Sequence, residues 1–442
     1  MGIAFAVGIG RDGGMLSPIV GGMLLGAGWH GHDLYFLFLL PMADAAFAVI
    51  LLRERRLTPR DQTRSDSFLR RTKSRGGRPM KFNELALACA ATLPALACAQ
   101  SVTLYGVVDT GVEYVNRIGA SNNSVVRMSS LSGTVPSRWG LRTTEDLGGG
   151  LKANAVLESG FSPDSGVSNQ GGRLFGRQAW VGLSGSWGQI SLGRQYTMLF
   201  WSMLDSDVLG PNTFGSGSLD TYIPNARADN AIAYKGKFGA LTIGATYSFG
   251  RDAVNAGPSP AGTNCAGENP ADHSACREWS AMVQYETSRF GVAAAYDVLR
   301  GGSGAFAGLN TSEKSDQRLS LSAYALLDKT RVGVGWLRRD NEGSPAGLSD
   351  LWYAGASHDL TPAINVAGQI YYLRYHGNGN RAMLYALRGT YNFSKRTLVY
   401  ATAGYINNDG QLALSVSSGS AGANPLPGAS QLGAMVGIKH VF

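Results

Sequence analysis

Three carboxylates and three guanidiniums frame one stretch of this 442-residue chain. The segment 197–226, TMLFWSMLDSDVLGPNTFGSGSLDTYIPNA, carries Asp205, Asp207 and Asp220, and its flanks carry Arg177, Arg194 and Arg227. Charges of both signs gathered in this way either pair into structural salt bridges or, across a wet enclosure, set up a field that sorts ions and polar solutes. Asp205 and Asp207 have a local alternative as well, capping a short helical turn within 201–209, since Asp-Val-Leu-Gly also reads as a helix end.

Bond-breaking chemistry finds less support. Beyond residue 100 the histidines are His273, His358, His376 and His440, and none sits in a Gly-x-Ser-x-Gly setting. His358 adjoins Asp359, but adjacent residues on a strand face opposite ways. Of four cysteines, Cys89 and Cys98 lie in an apolar leader-like segment, and Cys265 and Cys276 share one Gly/Pro/Asn-rich loop. In an oxidising compartment the latter two would close an intra-loop disulfide. A metal would need further ligands, and only His273 is near, so no metal and no cofactor are expected.

The elements that must hold these groups are strands. Gly is 60 of 442 residues, with 18 Tyr, 16 Phe and only 16% charged residues, a composition suited to a many-stranded all-β protein. From residue 101 a period-2 alternation recurs in sixteen segments, from 102–114 to 431–442. It is clean in Leu241/Ile243/Ala245/Tyr247 and in Leu319/Leu321/Ala323, and too weak in 363–375 to assign faces. Short turns such as 145–150 and 394–396 alternate with longer polar loops around 115–125, 160–172, 197–226 and 251–276. One strand face is Leu/Val/Ala with aromatics near its ends, and the other carries Gly, Ser, Thr, Gln and Arg, which predicts a wet interior. Turns at one end, loops at the other and an apolar outer band describe a transmembrane β-barrel, closed because backbone groups in lipid must pair within the protein.

Ahead of the barrel, 34–52 is about long enough for one membrane helix and is followed by Arg-Glu-Arg-Arg. With 15–28 it resembles the last helices of a major-facilitator transporter, and two helices enclose no path. Met80 then opens MKFNELALACAATLPALACAQS, with Lys81 before an apolar run and Ala97-Cys98-Ala99 as a small-x-small site, the pattern of a secretory signal. The expected division is a helical, basic extension over 1–79 that is extraneous to the barrel, a signal peptide over 80–99 and a barrel over 100–442. The formal charge of +8 is mostly N-terminal: residues 1–99 hold 12 Lys/Arg and 7 Asp/Glu, leaving 27 against 24. The basic run 53–78 has no interleaved aromatics, so no nucleic-acid partner is expected.

Several stretches carry a resemblance: SVTLYGVVDTGVEY from Ser101, SRWGLRTTEDLGGGLKANAVLESGF from Ser137, LFGRQAWVGLSGSWGQISLGRQY from Leu174, RADNAIAYKG from Arg227, and the terminal GIKHVF. The chain resembles the general-diffusion porins of Gram-negative outer membranes, of the neisserial and burkholderial type, departing at Thr143 where a Gly is usual. The resemblance implies a 16-stranded barrel, normally a homotrimer in outer-membrane lipid including lipopolysaccharide, whose third long loop folds inward and narrows the pore. It places Arg138, Arg177 and Arg227 in a basic cluster on the wall. Arg142, on the face of Arg138, would join it; Asp205, Asp207 and Asp220 are set opposite it by their location in the loop alone, since the family keeps no fixed spacing there. Arg173 and Arg194 are weaker candidates.

Arg and Asp rows across a narrow lumen focus a transverse field, and an excess of Arg favours anions. The expected function is passive diffusion of small hydrophilic solutes and ions, weakly anion-selective. The alternatives are a substrate-specific channel and, more remotely, a barrel enzyme.

Overall fold

The computed structural model describes residues 101–129, 131–252, 264–418 and 422–442. The helical extension expected over 1–79, the signal expected over 80–99 and Cys89 and Cys98 lie outside the described residues.

Seventeen strands form one sheet: β1 (Ser101–Ile118), β2 (Asn123–Met128), β3 (Arg138–Gly148), β4 (Leu151–Gly160), β5 (Gln178–Gly185), β6 (Gly188–Tyr196), β7 (Arg227–Phe238), β8 (Leu241–Ser248), β9 (Glu278–Glu286), β10 (Phe290–Arg300), β11 (Ser315–Leu327), β12 (Thr330–Asn341), β13 (Ser349–Asp359), β14 (Ile364–Tyr375), β15 (Arg381–Asn392), β16 (Thr397–Asp409) and β17 (Ser430–Val441). Each pairs antiparallel with its successor from β3 onward, and β17 returns to β1 with Val107 opposite Val441 and Val115 opposite Gly433. Gly106 and Phe442 exchange both backbone hydrogen bonds beyond that ladder. The barrel is therefore closed, leaving no edge to lipid.

The staves number sixteen because β2 and β3 share one position beside β1. The upper part of β1 pairs β2, with Val112 opposite Met128, and its lower part pairs β3, with Val107 opposite Arg138. The long loop expected around 115–125 is thus a correction: β1 runs on to Ile118, a tight turn follows with Gly119 at φ 61° and Asn122 at φ 52°, and β2 resumes the sheet. The irregular backbone lies instead between β2 and β3. Asp109 shapes it from inside the wall, accepting from Val135 N–H at 3.2 Å, Tyr400 hydroxyl at 2.7 Å and the Thr134 hydroxyl.

Alternation explains the faces. In β8, Leu241, Ile243, Ala245 and Tyr247 are exposed and Thr242, Gly244, Thr246 and Ser248 are buried, with the same alternation along β11. Outward Val181, Leu192, Ile232, Val283, Leu321, Leu387 and Val436 form the apolar belt. The interior departs from the uniformly wet lumen expected. On β12–β15 the inner face, between Arg331, Gln369 and Arg388, carries an apolar patch, with Leu337, Leu351, Tyr353, Ala367, Tyr371, Leu373, Leu384 and Ala386 buried against Leu199, Met203, Leu209, Phe214 and Leu219 of 197–226.

Between β8 and β9, Cys265 and Cys276 form a disulfide with Cα atoms 5.2 Å apart. A bridge across so short a loop constrains the unfolded loop by about 3 kcal/mol in the chain-entropy picture. Cys265→Ser/Cys276→Ser should therefore leave conductance unchanged while raising the rate of protease cleavage within 264–277. Equal cleavage of the oxidised and mutant proteins would show that the barrel rim alone holds the loop.

Candidate functional site

Glu158, near the end of β4, is the centre of the basic cluster. Arg177, in the residue just before β5, donates from Nε to Glu158 Oε1 at 2.8 Å, and Arg138 at the start of β3 reaches Oε2 at 3.5 Å. Tyr105 hydroxyl completes the shell at 3.0 Å. From the far side of Arg177, Tyr196 hydroxyl accepts from Arg177 at 2.6 Å and from Arg227 at 2.7 Å, and the Arg227 guanidinium lies over its ring at 4.4 Å. Arg227 Nε is buried without a partner. Three guanidiniums thus gather around one carboxylate, Arg138 and Arg177 touching Glu158 and Arg227 held through Tyr196, so the cluster is net positive and held in low-dielectric surroundings where its field carries.

Segment 197–226 begins with helix α1 (Met198–Met203) and is tied down along its length. Met198 N–H donates to Ser280 Oγ at 2.8 Å, Ser206 meets Tyr353 hydroxyl at 2.6 Å, Leu209 N–H reaches Gln369, and Arg388 donates to Leu209 carbonyl at 2.9 Å. These partners belong to β9, β13, β14 and β15, whereas the segment joins β6 to β7. The 129–137 segment and the 410–429 loop meet it too, through Thr213 N–H to Ser132 carbonyl and Ser218 hydroxyl to Val416 carbonyl.

The loop carboxylates take distinct places. Asp220 is buried and accepts from Arg318 Nε at 2.8 Å and Nη2 at 3.3 Å. Burial opposes its ionisation, but the Arg318 and Arg339 guanidiniums win and hold its carboxyl at about 2. Asp207 accepts from Tyr371 hydroxyl at 3.1 Å, Ser216 hydroxyl at 3.2 Å and Gly210 N–H at 3.1 Å, closing the turn after α1; burial pushes its carboxyl up. Asp205 is the most open of the three and pairs with Arg331 at 3.4 Å. The helical turn expected within 201–209 lies earlier, at Met198–Met203.

Arg138, Arg177 and Arg227 are therefore brought together. Arg142 is not in direct contact with them: it is exposed, 5.0 Å over the Tyr105 ring, and joins only through that phenol. Arg173 and Arg194 converge on Asp229 at 2.9 and 2.5 Å, in a separate ion-pair group. Sequence reasoning missed Glu158, Tyr196, Arg318 and Arg388. Glu158 and Tyr196 lie inside the quoted stretches ESGF and LGRQY, but Arg318 and Arg388 stand in ordinary alternating strands and acquire a role only through contact with the loop.

A closed sixteen-stave antiparallel barrel with an apolar outer belt and a charged interior defines an outer-membrane channel. Residues 85–411 match the Gram-negative porin family, and the chain belongs to it. It is 30% identical to an outer membrane porin protein of Bordetella pertussis, over 74% of this chain and 95% of that one, and 30% identical to outer membrane porin protein 32 of Delftia acidovorans, over 82% and 100%. Among solved structures, the anion-selective porin from Comamonas acidovorans superimposes with a TM-score of 0.62 at 26% identity, covering 78% of this chain and all of that one. The protein is a cell outer-membrane channel for passive diffusion.

Proposed function

We propose that the channel conducts small hydrophilic solutes and ions with a weak preference for anions, and that segment 197–226 folds into the lumen and sets its width. The observation that carries the preference is a cluster of three guanidiniums holding a single carboxylate: Arg138 and Arg177 pair with Glu158, and Arg227 joins Arg177 through the Tyr196 hydroxyl. Asp220 and Asp205 have cations of their own in Arg318 and Arg331, and burial favours the neutral form of Asp207, so little uncompensated negative charge opposes the cluster. Inward folding is supported by the loop's contacts to β9 through β15, far around the barrel from its own ends. The similarity to the anion-selective Comamonas porin agrees in direction.

We read the assembly as a homotrimer in lipopolysaccharide-containing membrane, on the family's pattern, and residues 80–99 as an export signal. The family match begins at 85, and the Delftia porin aligns over its full length with 82% of this chain, which supports separating 1–79, with its transporter-like character, from the porin. N-terminal sequencing of the exported protein tests the cleavage after Ala99.

In planar bilayers under a salt gradient, conductance in steps of three and a reversal potential of anion-preferring sign are expected. A cation-preferring potential would overturn the selectivity reading. Saturable block by one solute class would instead favour a substrate-specific channel.

A further inference from the structure

A tier of charge crosses the outer surface at the long-loop end of β12–β16. The register sets Arg338 beside Asp350, Asp350 beside Arg374, Arg374 beside Arg381 and Arg381 beside Asp409 on adjacent strands. All five point outward, on the face that carries Val334, Ile370, Tyr385 and Tyr405 lower down. Like charges directly opposite one another destabilise a strand pair unless something neutralises them, and Arg374 faces Arg381.

Both neighbouring carboxylates are already engaged. Asp350 accepts from Arg338 at 2.9 and 3.1 Å, Trp336 Nε1 at 3.0 Å and His376 Nε2 at 2.7 Å. Asp409 accepts from Arg381 Nε at 2.7 Å and from Gly410 N–H at 2.8 Å. Arg374, exposed, has no hydrogen-bond or ion-pair partner among the described residues, and the tier is left with net positive charge.

Two residues toward the membrane, about 7 Å away at the strand rise, runs a second tier in register, Trp336, Trp352, Tyr372 and Met383. Trp336 and Trp352 pack with ring centroids 5.7 Å apart. Amphipathic rings of this kind sit at the membrane–water boundary. The arginine tier therefore stands just above that boundary, where lipid headgroups carry their phosphates, and an arginine fork matches phosphate geometry.

We propose that Arg374, with Arg381 beside it and Arg338 on the far side of Asp350, binds the phosphate of an outer-leaflet lipid headgroup, whose acyl chains lie along the aromatic tier and the apolar belt beneath it. The proposal rests on the outer-membrane channel reading for which end of the barrel faces outward. It names the lipid contact as a specific site and selects a phosphorylated headgroup over a neutral one.

The test uses the full chain, purified in detergent, titrated with bisphosphorylated lipid A and with its dephosphorylated form and read by native mass spectrometry. The wild type should retain the phosphorylated lipid preferentially. Arg374→Gln/Arg381→Gln should lose roughly 25-fold in affinity for it, about fivefold per surface arginine, and should bind the dephosphorylated form as the wild type does. Arg374→Lys, which keeps the charge, should retain most of the affinity and guards against a folding defect in the double variant. Equal retention of the phosphorylated lipid by wild type and double variant, no preference for phosphate, or displacement of the lipid by inorganic phosphate at modest excess would each overturn the site. Conductance of the wild type, measured separately, bears on the channel alone: a conducting protein that ignores the phosphate sinks only the headgroup site.

Discussion

Arg177→Ala lowers the anion-to-cation permeability ratio of the channel by roughly fivefold in dilute salt, the equivalent of about 1 kcal/mol for one charge acting on an ion near 4 Å through water. The change is expected to be large for a single residue because Arg177 is the hinge of its cluster, joining Glu158 on one side to Tyr196 and Arg227 on the other. Its removal leaves Glu158 the Tyr105 hydroxyl and, as its remaining guanidinium, Arg138 at a longer distance of 3.5 Å. Arg138→Ala and Arg227→Ala should move the reversal potential the same way, and Glu158→Gln the opposite way. The shift should fade toward molar salt, where the Debye length falls to about 3 Å. A reversal potential that stays put in all three arginine variants would mean that the cluster is a structural brace remote from the ions.

Breaking the Asp220–Arg318 pair should release the loop from the wall. Arg318 is 2% exposed, and Asp220→Ala leaves it only Asp316, which Arg339 also engages, at a cost of about 3 kcal/mol, the low end for a buried pair that loses one partner. Wider, noisier single-channel currents and trypsin cleavage within 197–226 are the expected signs, with a lower midpoint in thermal unfolding. The double variant Asp220→Leu/Arg318→Met, which removes both charges and keeps the bulk, should recover most of the loss. If Asp220→Ala conducted and melted like the wild type, the apolar contacts of Leu209, Phe214 and Leu219 would be sufficient to hold the loop by themselves.

The same pair fixes a pH dependence. Asp220 titrates at about 2 in the folded protein against 3.8 free. A depressed carboxyl contributes stability that is fully present above the free value and is lost as pH falls through the folded one. The attachment is thus worth about 2 kcal/mol at neutral pH, is intact at pH 5 and gives way between about pH 4 and pH 2. Asp207 works against this trend, since burial favours its neutral form and acid relieves that cost.

How far the sequence could be read depends on where each strand's two faces point. Strands such as β8 and β11, apolar outside and small or polar inside, announce themselves by period 2 and were placed with their faces. β14 does not, because Ala367, Tyr371 and Leu373 face the loop while Val366, Ile370 and Tyr372 face lipid, so large apolar residues stand on both sides and the inward Asn365 and Gln369 are too few to mark one. β2 was hidden for a related reason: it is six residues long and set off by a break that Asp109 organises through Tyr400, a residue 291 positions away.

The site divides along the same line. Arg138, Arg177 and Arg227 were legible because each sits in a stretch whose residue order is itself the signal. What they converge on was not, since Glu158 and Tyr196 become partners only when β4 and β6 lie on either side of β5. The loop aspartates could be located but not given roles, because Arg318 lies 98 residues from Asp220 and Tyr371 lies 164 from Asp207. Alternation and turn chemistry are local properties, and they were enough to determine a sixteen-stave membrane barrel with a long third loop. Which charges cancel and which are left over depends on distances of a few ångströms between remote strands, and only closure of the sheet and the seating of segment 197–226 decided that.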